Sequence, residues 1–269
     1  MSKTARLAVD IGGTFTDLAL DVDGAMFTHK LLTTPQAPEE GVMVGVREVL
    51  PQAGITAKDL DFIIHVTTLA TNTVIERKGA RTALIVTDGF RDAVEMGYEH
   101  RFDQYDINID KPVPLVPRYL RLTVRERGSA QGEVLAALEE GDVHALIPVL
   151  RENDIESVAI TLLHSYANPG HEQRIAEILR AEMPDLWLTL SSDVCPEIRE
   201  YERMSTASAN AYVQPLMASY LADLDARLRA EGAQCPLFMM TSGGGLTTVD
   251  TARRHPIRLV ESGPAGGAI

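Results

Sequence analysis

The stretch RLAVDIGGTFTDLAL, Arg6 to Leu20, decides the fold. Leu7, Ala8 and Val9 make a short apolar strand, and a second strand runs through Phe15, Asp17, Leu18, Ala19 and Leu20. Between them lies a turn of an acid, glycines and a hydroxyl: Asp10, Gly12, Gly13 and Thr14. Adjacent glycines let backbone come close to an anion, and turn N–H groups with the Thr14 and Thr16 hydroxyls are suited to phosphate oxygens. Asp10, at the carboxyl tip of the first strand, is placed to hold a hydrated magnesium ion beside them. The stretch contains no G-x-x-x-x-G-K-[ST] and no G-x-G-x-x-G running into a helix. Strand follows turn, so the element is a hairpin cradle.

Outward from the hairpin, Gly24 makes a turn and AMFTHKLLTT offers a third strand, completing an antiparallel meander. Pro35 and Pro38 punctuate its exit, and Val42, Val46, Val49 and Leu50 then recur at helical spacing, with Gly54 as the stop. Phe62 to Val66 reads as another strand, followed by a helix through Val74 and Ile75 toward Gly79 that Thr67 or Thr68 caps. A helix start at a strand's carboxyl end suits anions and substrates, although Thr67 and Thr68 also serve simply to satisfy that end. His65, in an apolar strand, is by pattern a hydrogen-bonded core residue, with a substrate role as the second reading.

A different rhythm follows. Ala83 to Val86, residues 158–163 and residues 186–190 read as strands of a second, smaller sheet, with helices through Val143, Ile147 and Leu150 and through Ile175, Ile178 and Leu179. Between Gly97 and Leu120 no period holds and Pro112, Pro114 and Pro117 intervene, so a long ordered loop is expected; Arg101, Arg118 and Arg121 either grip an anion or sit in surface ion pairs. Residues from about Glu197 to Glu231 are helical in composition, with Pro215 forcing a kink or break. The charges of EIREYER suit a solvated face, and Cys195 reads as a packed thiol. A last strand ends at Thr241, Ser242 and three glycines; Gly243 and Gly244 make either a tight turn or a surface for ligand approach. Ser262 and Pro264 open a further helix.

With 269 residues, 45% hydrophobic and 23% charged, the chain has the composition of a soluble globular protein. A net charge of −13 without a basic stripe argues against nucleic-acid or anionic-membrane binding. No apolar run approaches the roughly 20 residues of a membrane helix, the opening lacks a signal core, and Cys195 and Cys235 form no ligand cluster. A reducing cytoplasm is the expected location.

D-x-G-G-T-x-T-D after a strand resembles the first phosphate motif of the acetate and sugar kinase, heat-shock chaperone and actin superfamily. Within it the chain is similar to the hydantoinase A and oxoprolinase family. H-x-T-T-x-A-T-N at His65–Asn72, PLVPR at 114–118, PEIREYER at 196–203, NAYVQP at 210–215 and the S-x-G-G turn carry the likeness; Val66 stands where the family usually has glycine. The resemblance implies an α/β, ribonuclease-H-like N-terminal lobe with an additional small α/β subdomain, the second ATPase lobe being missing from these residues. It divides the chain into an N-terminal region, 4–185, and the start of an ATPase-core region, 197–269. It implies ATP and magnesium as cofactors, with Asp10 as metal ligand through water, Asp17 on the metal or orienting the hairpin, and Gly12, Gly13, Thr14, Thr16, Gly243 and Gly244 on the nucleotide. His65, Thr67, Thr68, Thr71 and Asn72 are the implied substrate residues. The implied activity is ATP-dependent opening of a cyclic amide, hydantoin or oxoproline, with a B-type subunit as partner. Ketone carboxylation, a small-molecule kinase and a non-catalytic nucleotide lobe are the alternatives.

Overall fold

The structure, a computed structural model, describes residues 4–34, 36–98, 103 and 105–263. The chain divides into two compact units, one of residues up to Lys78 together with those from Leu216 onward, the other Gly79–Pro215.

The first unit opens with the expected meander: β1 (Ala5–Ile11), β2 (Phe15–Val22) and β3 (Ala25–Leu32), paired antiparallel. Period-two alternation is complete in β1, where Ala5, Leu7, Val9 and Ile11 are buried and Arg6, Ala8 and Asp10 face the other way. Helix α1 (Pro38–Val49) starts on Pro38, where the missing N–H costs nothing, and buries Val42, Val46 and Val49. A short 3-10 turn follows it and closes on Gly54 at φ 66°. β4 (Phe62–Thr67) lies parallel to β1, and α2 (Leu69–Ile75) leaves its carboxyl end. That helix is shorter than the pattern to Gly79 suggested.

His65 of β4 is 1% exposed and belongs to the core. Its Nδ1 lies 3.1 Å from the Val9 carbonyl, which only accepts, so Nδ1 carries the proton; bare Nε2 then accepts from the Tyr220 hydroxyl at 2.6 Å. Burial lowers its pKa to about 4, so the ring is neutral at ordinary pH.

The second unit is a parallel sheet in the order β10-β9-β5-β6, from β5 (Thr82–Thr87), β6 (Arg121–Val124), β9 (Ser157–Thr161) and β10 (Trp187–Leu190). Three of its strands were legible as apolar runs, and β6 is the LRLTV segment that ends the irregular loop. A small hairpin, β7 (Arg127–Gly128) and β8 (Val134–Ala136), is too short to announce itself by period. The helices are α3 (Ala93–Met96), α4 (Glu140–Glu152), α5 (Gly170–Glu182) and α6 (Ser191–Val194).

Helix α7 (Glu200–Ala230) is continuous over 31 residues with Pro215 inside it. The proline removes one backbone donor without ending the helix, and the division between the units falls just after it. The charged run before it is not wholly a solvated face. Arg203 is fully buried, donating to the Leu162 carbonyl at 2.8 Å, the Glu197 carbonyl at 3.0 Å and Ser191 Oγ at 3.2 Å. Buried Glu172 accepts from Leu162 N–H, the Ser192 N–H and hydroxyl, and the Ser191 hydroxyl, so both of its oxygens are satisfied. Cys195 follows α6, and burial raises its thiol pKa, as a packed thiol requires.

After α7 the chain returns to the first sheet. β11 (Leu237–Met240) lies parallel to β4, and β12 (Leu246–Thr248) pairs antiparallel at the edge before α8 (Val249–Arg254). The six-stranded order is β12-β11-β4-β1-β2-β3, so residues far apart in sequence share one sheet. A sequential division at 185–197 therefore differs from the spatial one. The helix expected at Pro264 lies outside the described residues.

Two outcomes follow from this packing. A Cβ on Gly79 would sit 2.3 Å from the Tyr212 ring and 2.5 Å from its carbonyl oxygen, which Ala80 N–H already holds at 2.9 Å. Gly79→Ala is therefore expected to destabilise by about 1–3 kcal/mol, seen as a lower urea midpoint. His65 titrates lower folded than unfolded, so its contribution is present above the unfolded value of 6.5 and is lost as pH falls toward about 4. On the order of 3 kcal/mol should disappear across that window, and unfolding curves of His65→Gln should lack this acid slope.

Candidate functional site

β1, β4 and β11 run in the same direction, so their carboxyl ends lie along one edge of the first sheet. That edge collects the Gly12–Thr14 turn, the start of α2 at Thr68 and the Thr241–Gly245 turn. Ligands of open α/β sheets bind beyond the carboxyl ends of strands.

The first turn is closed by Gly12 N–H donating to the Phe15 carbonyl at 2.9 Å. Thr33, which sequence reasoning passed over, pins it: Thr33 N–H donates to the Thr14 carbonyl and its hydroxyl to the Gly12 carbonyl at 2.9 Å. At the exposed tip, Gly13 and Thr14 N–H groups have no acceptor among the described residues. Neither Gly12 nor Gly13 has a positive φ, so the glycines are not there for backbone freedom. A Cβ on Gly13 would make only ordinary contact, 3.7 Å from the Asn72 amide nitrogen. The missing side chain leaves open space in front of the turn, with Asn72 as its wall.

Thr16 departs from the expectation that it donates to phosphate. It is fully buried, and its hydroxyl pairs with Thr33 Oγ1 at 3.1 Å. The reason is period two: Thr16 shares a face with buried Leu18 and Leu20, and Asp17 takes the opposite one.

Asp10 and Asp17 are directly cross-strand, and Asp17 is in turn opposite Lys30. Lys30, also unnoticed in the sequence, clasps both Asp17 oxygens at 2.8 and 2.9 Å. Asp17 is thus an exposed partner of a lysine, which favours the hairpin-orienting reading. Asp10 has no such partner. Its Oδ1 is buried without a hydrogen bond, and burial first, then the charge of Asp17, raises its pKa, with Lys30 partly offsetting. A half-buried carboxylate with an orphan oxygen beside a second acid is a place that favours a cation.

On the neighbouring strand the H-x-T-T-x-A-T-N residues divide. His65 and Thr67 are buried; Thr67 Oγ1 accepts Leu69 N–H, and His65 is held in the core as described, out of reach of a substrate. Thr68 donates through both its N–H and its hydroxyl to the Ile11 carbonyl, tying the α2 start to the end of β1. Asn72 Nδ2 reaches Thr68 Oγ1 at 3.4 Å, and Thr71 Oγ1 accepts Glu261 N–H at 3.0 Å. Of the five, Thr68 and Asn72 stand beside the glycine turn.

The third element is the Thr241–Gly245 turn. Thr241 N–H donates to the Gly245 carbonyl and Gly244 N–H to the Thr241 carbonyl, and Gly244 adopts φ 78°. Gly244 is therefore required by the hairpin itself, whereas Gly243 has open space around it. Ser242 donates to the Arg258 and Val260 carbonyls, and Ser262 Oγ then donates to the Thr67 carbonyl at 3.2 Å. Residues 258–262 are strapped between the two flanking elements.

A mixed sheet with an unpaired acid and an open glycine turn at its carboxyl edge defines an α/β lobe with a candidate ligand site at that edge. The chain belongs to the hydantoinase/oxoprolinase family: the model of that family's N-terminal region matches residues 6–183, and the hydantoinase/oxoprolinase model matches 203–269. It is 37% identical to the caprolactamase subunit alpha of Pseudomonas jessenii over 98% of this chain and 39% of that protein. The crystal structure of the ATP-dependent caprolactamase from the same organism superposes with a TM-score of 0.89 at 36% identity, covering 97% of this chain and 39% of that one. A nucleotide-free acetone carboxylase structure gives 0.88 at 27% identity, over 99% and 40%. The chain thus spans about two fifths of the length of these relatives.

Asp10→Asn removes a desolvated charge facing Asp17. Because the folded carboxyl titrates above its unfolded counterpart, its stabilising contribution is present at low pH and is lost as pH rises through the folded value. The variant is expected to match the parent at acid pH and to unfold at a slightly higher urea concentration at neutral pH. An Asn variant less stable at neutral pH would show that Asp10 is satisfied in the protein.

Proposed function

We propose that this chain binds ATP with magnesium at the Gly12–Thr14 turn and serves the nucleotide-dependent part of an enzyme that opens a cyclic amide, of the hydantoin or oxoproline type. The observation that carries the reading is the buried Asp10 Oδ1 without a partner, next to a turn whose Gly13 and Thr14 N–H groups have no acceptor among the described residues and whose Gly13 leaves open the space a side chain would fill. Magnesium is ordinarily held by one or two carboxylates together with phosphate and water, so a single unpaired Asp10 suffices and no cage of three ligands is needed. Among the described residues no group of three or more candidate ligands occurs. ATP supplies an activating phosphoryl group for the amide oxygen.

The chain's own residues bind and orient. Gly13 and Thr14 N–H groups donate to phosphate oxygens, Asn72 borders the same space, and Asp10 holds the metal through water. Lys30, positioned by Asp17, adds positive charge beside the turn. Such positioning and charge neutralisation is most of what phosphoryl transfer asks of a protein. Gly243 flanks the nucleotide from the third element. Thr71 and Asn72 line the substrate side, and a B-type subunit completes the reaction; "subunit alpha" in the caprolactamase name supports a multi-subunit assembly. The half-buried free thiols of Cys195 and Cys235 suit a reducing cytoplasm.

A second reading, a ketone carboxylase subunit, is favoured by the likeness to acetone carboxylase. Both readings use the same turn and differ in the product.

Gly13→Ala is expected to fold like the parent, since the added methyl meets only the Asn72 side chain, yet to weaken Mg-ATP binding at least tenfold by calorimetry. Asp10→Ala should lose binding similarly in magnesium and change little without it. Unaltered Mg-ATP affinity in both variants would remove the turn from the nucleotide site. A ring-opened acid, a carboxylated ketone or a phosphorylated compound as product then separates hydrolase, carboxylase and kinase.

A further inference from the structure

An arginine is available to a ligand only where the protein gives its guanidinium nothing else to hold. Arg118 and Arg121, which the sequence offered as anion grips, are spent on the loop before β6. Arg118 makes a two-pronged pair with Asp92 at 2.9 Å, and buried Arg121 donates to the Val116 carbonyl at 3.0 Å and to Glu95 at 2.8 Å. Arg101 lies outside the described residues. Arg253, on α8 of the first unit, is different. Its Nε is buried without a hydrogen bond, and the guanidinium has no acceptor or carboxylate partner among the described residues.

Arg253 lines a cleft of about 360 Å³ at the amino end of β11, the end of the sheet opposite the glycine turn. Ala222 and Ala226 of α7, Leu237 and Phe238 of β11 and Val249 of α8 give it apolar walls, all within the first unit. Two acid–arginine couples share the lining. On α7, Asp225 and Arg229 satisfy each other at 3.4 Å, and Arg229 also donates to the Ala233 and Cys235 carbonyls. On α8, Asp250 and Arg253 are three residues apart, a spacing at which an acid and a base on a helix ordinarily meet. They make no ion pair, so the cleft presents one unmatched cation and one unmatched anion beside an apolar wall.

We propose that this cleft binds a small zwitterion, an α-amino acid with an apolar side chain. Its carboxylate takes the Arg253 guanidinium, its ammonium takes the Asp250 carboxylate, and its side chain lies on Leu237, Phe238 and Val249. A guanidinium meets a carboxylate through paired N–H donors, which an ammonium ligand alone would leave unused. A simple anion would satisfy Arg253 but bring its charge toward Asp225 and Asp250, whereas a zwitterion matches both unpaired groups at once. The volume is at the small end of the range that ligand pockets occupy, as a single amino acid requires. The site shares no residue with the Gly12–Thr14 turn, and the proposal does not rest on the nucleotide reading.

The test is a titration of the 269-residue chain, methyl-labelled at valine and leucine, with leucine, with isocaproate, which lacks the ammonium, and with isopentylamine, which lacks the carboxylate. Leucine is expected to shift the methyl signals of Leu237 and Val249, and each half-analogue to bind roughly tenfold more weakly, as loss of a charge-assisted contact does. Arg253→Gln and Asp250→Asn should each weaken leucine binding by about the same factor. Asp250 is exposed, so the urea midpoint of its variant should match the parent. Ala226→Trp, at an exposed position of α7, should fill the cleft and abolish the shifts. Leucine that leaves both methyls unmoved would overturn the proposal, as would either half-analogue binding as tightly as leucine, or leucine binding the three variants as it binds the parent. The titration contains no nucleotide, so its outcome is independent of Mg-ATP binding at the glycine turn.

Discussion

The parallel pairing of β1 with β4 is the constraint on which the site depends. It sets Val9 against His65 and Ile11 against Thr67, so the end of β1 and the start of α2 arrive together. Thr68 then seals the joint by donating twice to the Ile11 carbonyl. One residue of slip would turn Asp10 into the core and expose Val9 and Ile11, a change that the buried face of β1 forbids. The same pairing buries His65 next to Val9. The histidine of the family signature is thereby a strut of the edge, and Asn72 of α2 stands against the glycine turn.

Most of the first unit was legible because its signals are local. Meander, glycine turn and α1 are written in period two, period 3.6 and turn residues over short windows. Alternation would also have corrected one expectation: Leu18 and Leu20 pointing inward imply Thr16 inward and Asp17 outward. What no local window holds is the identity of cross-strand neighbours. Lys30 lies thirteen positions from Asp17, and Thr33 twenty-one from Gly12, so their parts in the turn emerge only once register is fixed. The return of β11 to β4 was illegible for the same reason, and it made a spatial unit out of two distant sequence segments. Pro215 does not break the helix, because a single missing donor costs a long, well-packed helix less than ending it would.

Charged runs show the limit of composition in another way. EIREYER alternates sign as a solvated face does, yet Arg203 at its end is fully enclosed by three acceptors. Burial of an arginine is affordable only where its planar fork meets fixed acceptors, and here two of the three are main-chain carbonyls, which leave no trace in sequence.

The contrast between that hub and the glycine-turn edge separates architecture from the candidate site. Glu172 has both oxygens occupied and every nitrogen of fully buried Arg203 is engaged by a fixed acceptor, so the hub is architecture. Asp10 Oδ1, by contrast, is buried without a hydrogen-bond partner. A buried polar atom that the protein leaves unpaired is a standing cost, and the cost is offset only when something else occupies the space in front of it. At Asp10 that space is bounded by an open turn and a second acid, surroundings that favour a cation over a second anion. What suits the unpaired oxygen is therefore set by the walls around it, the open turn and Asp17, and not by the orphan atom alone.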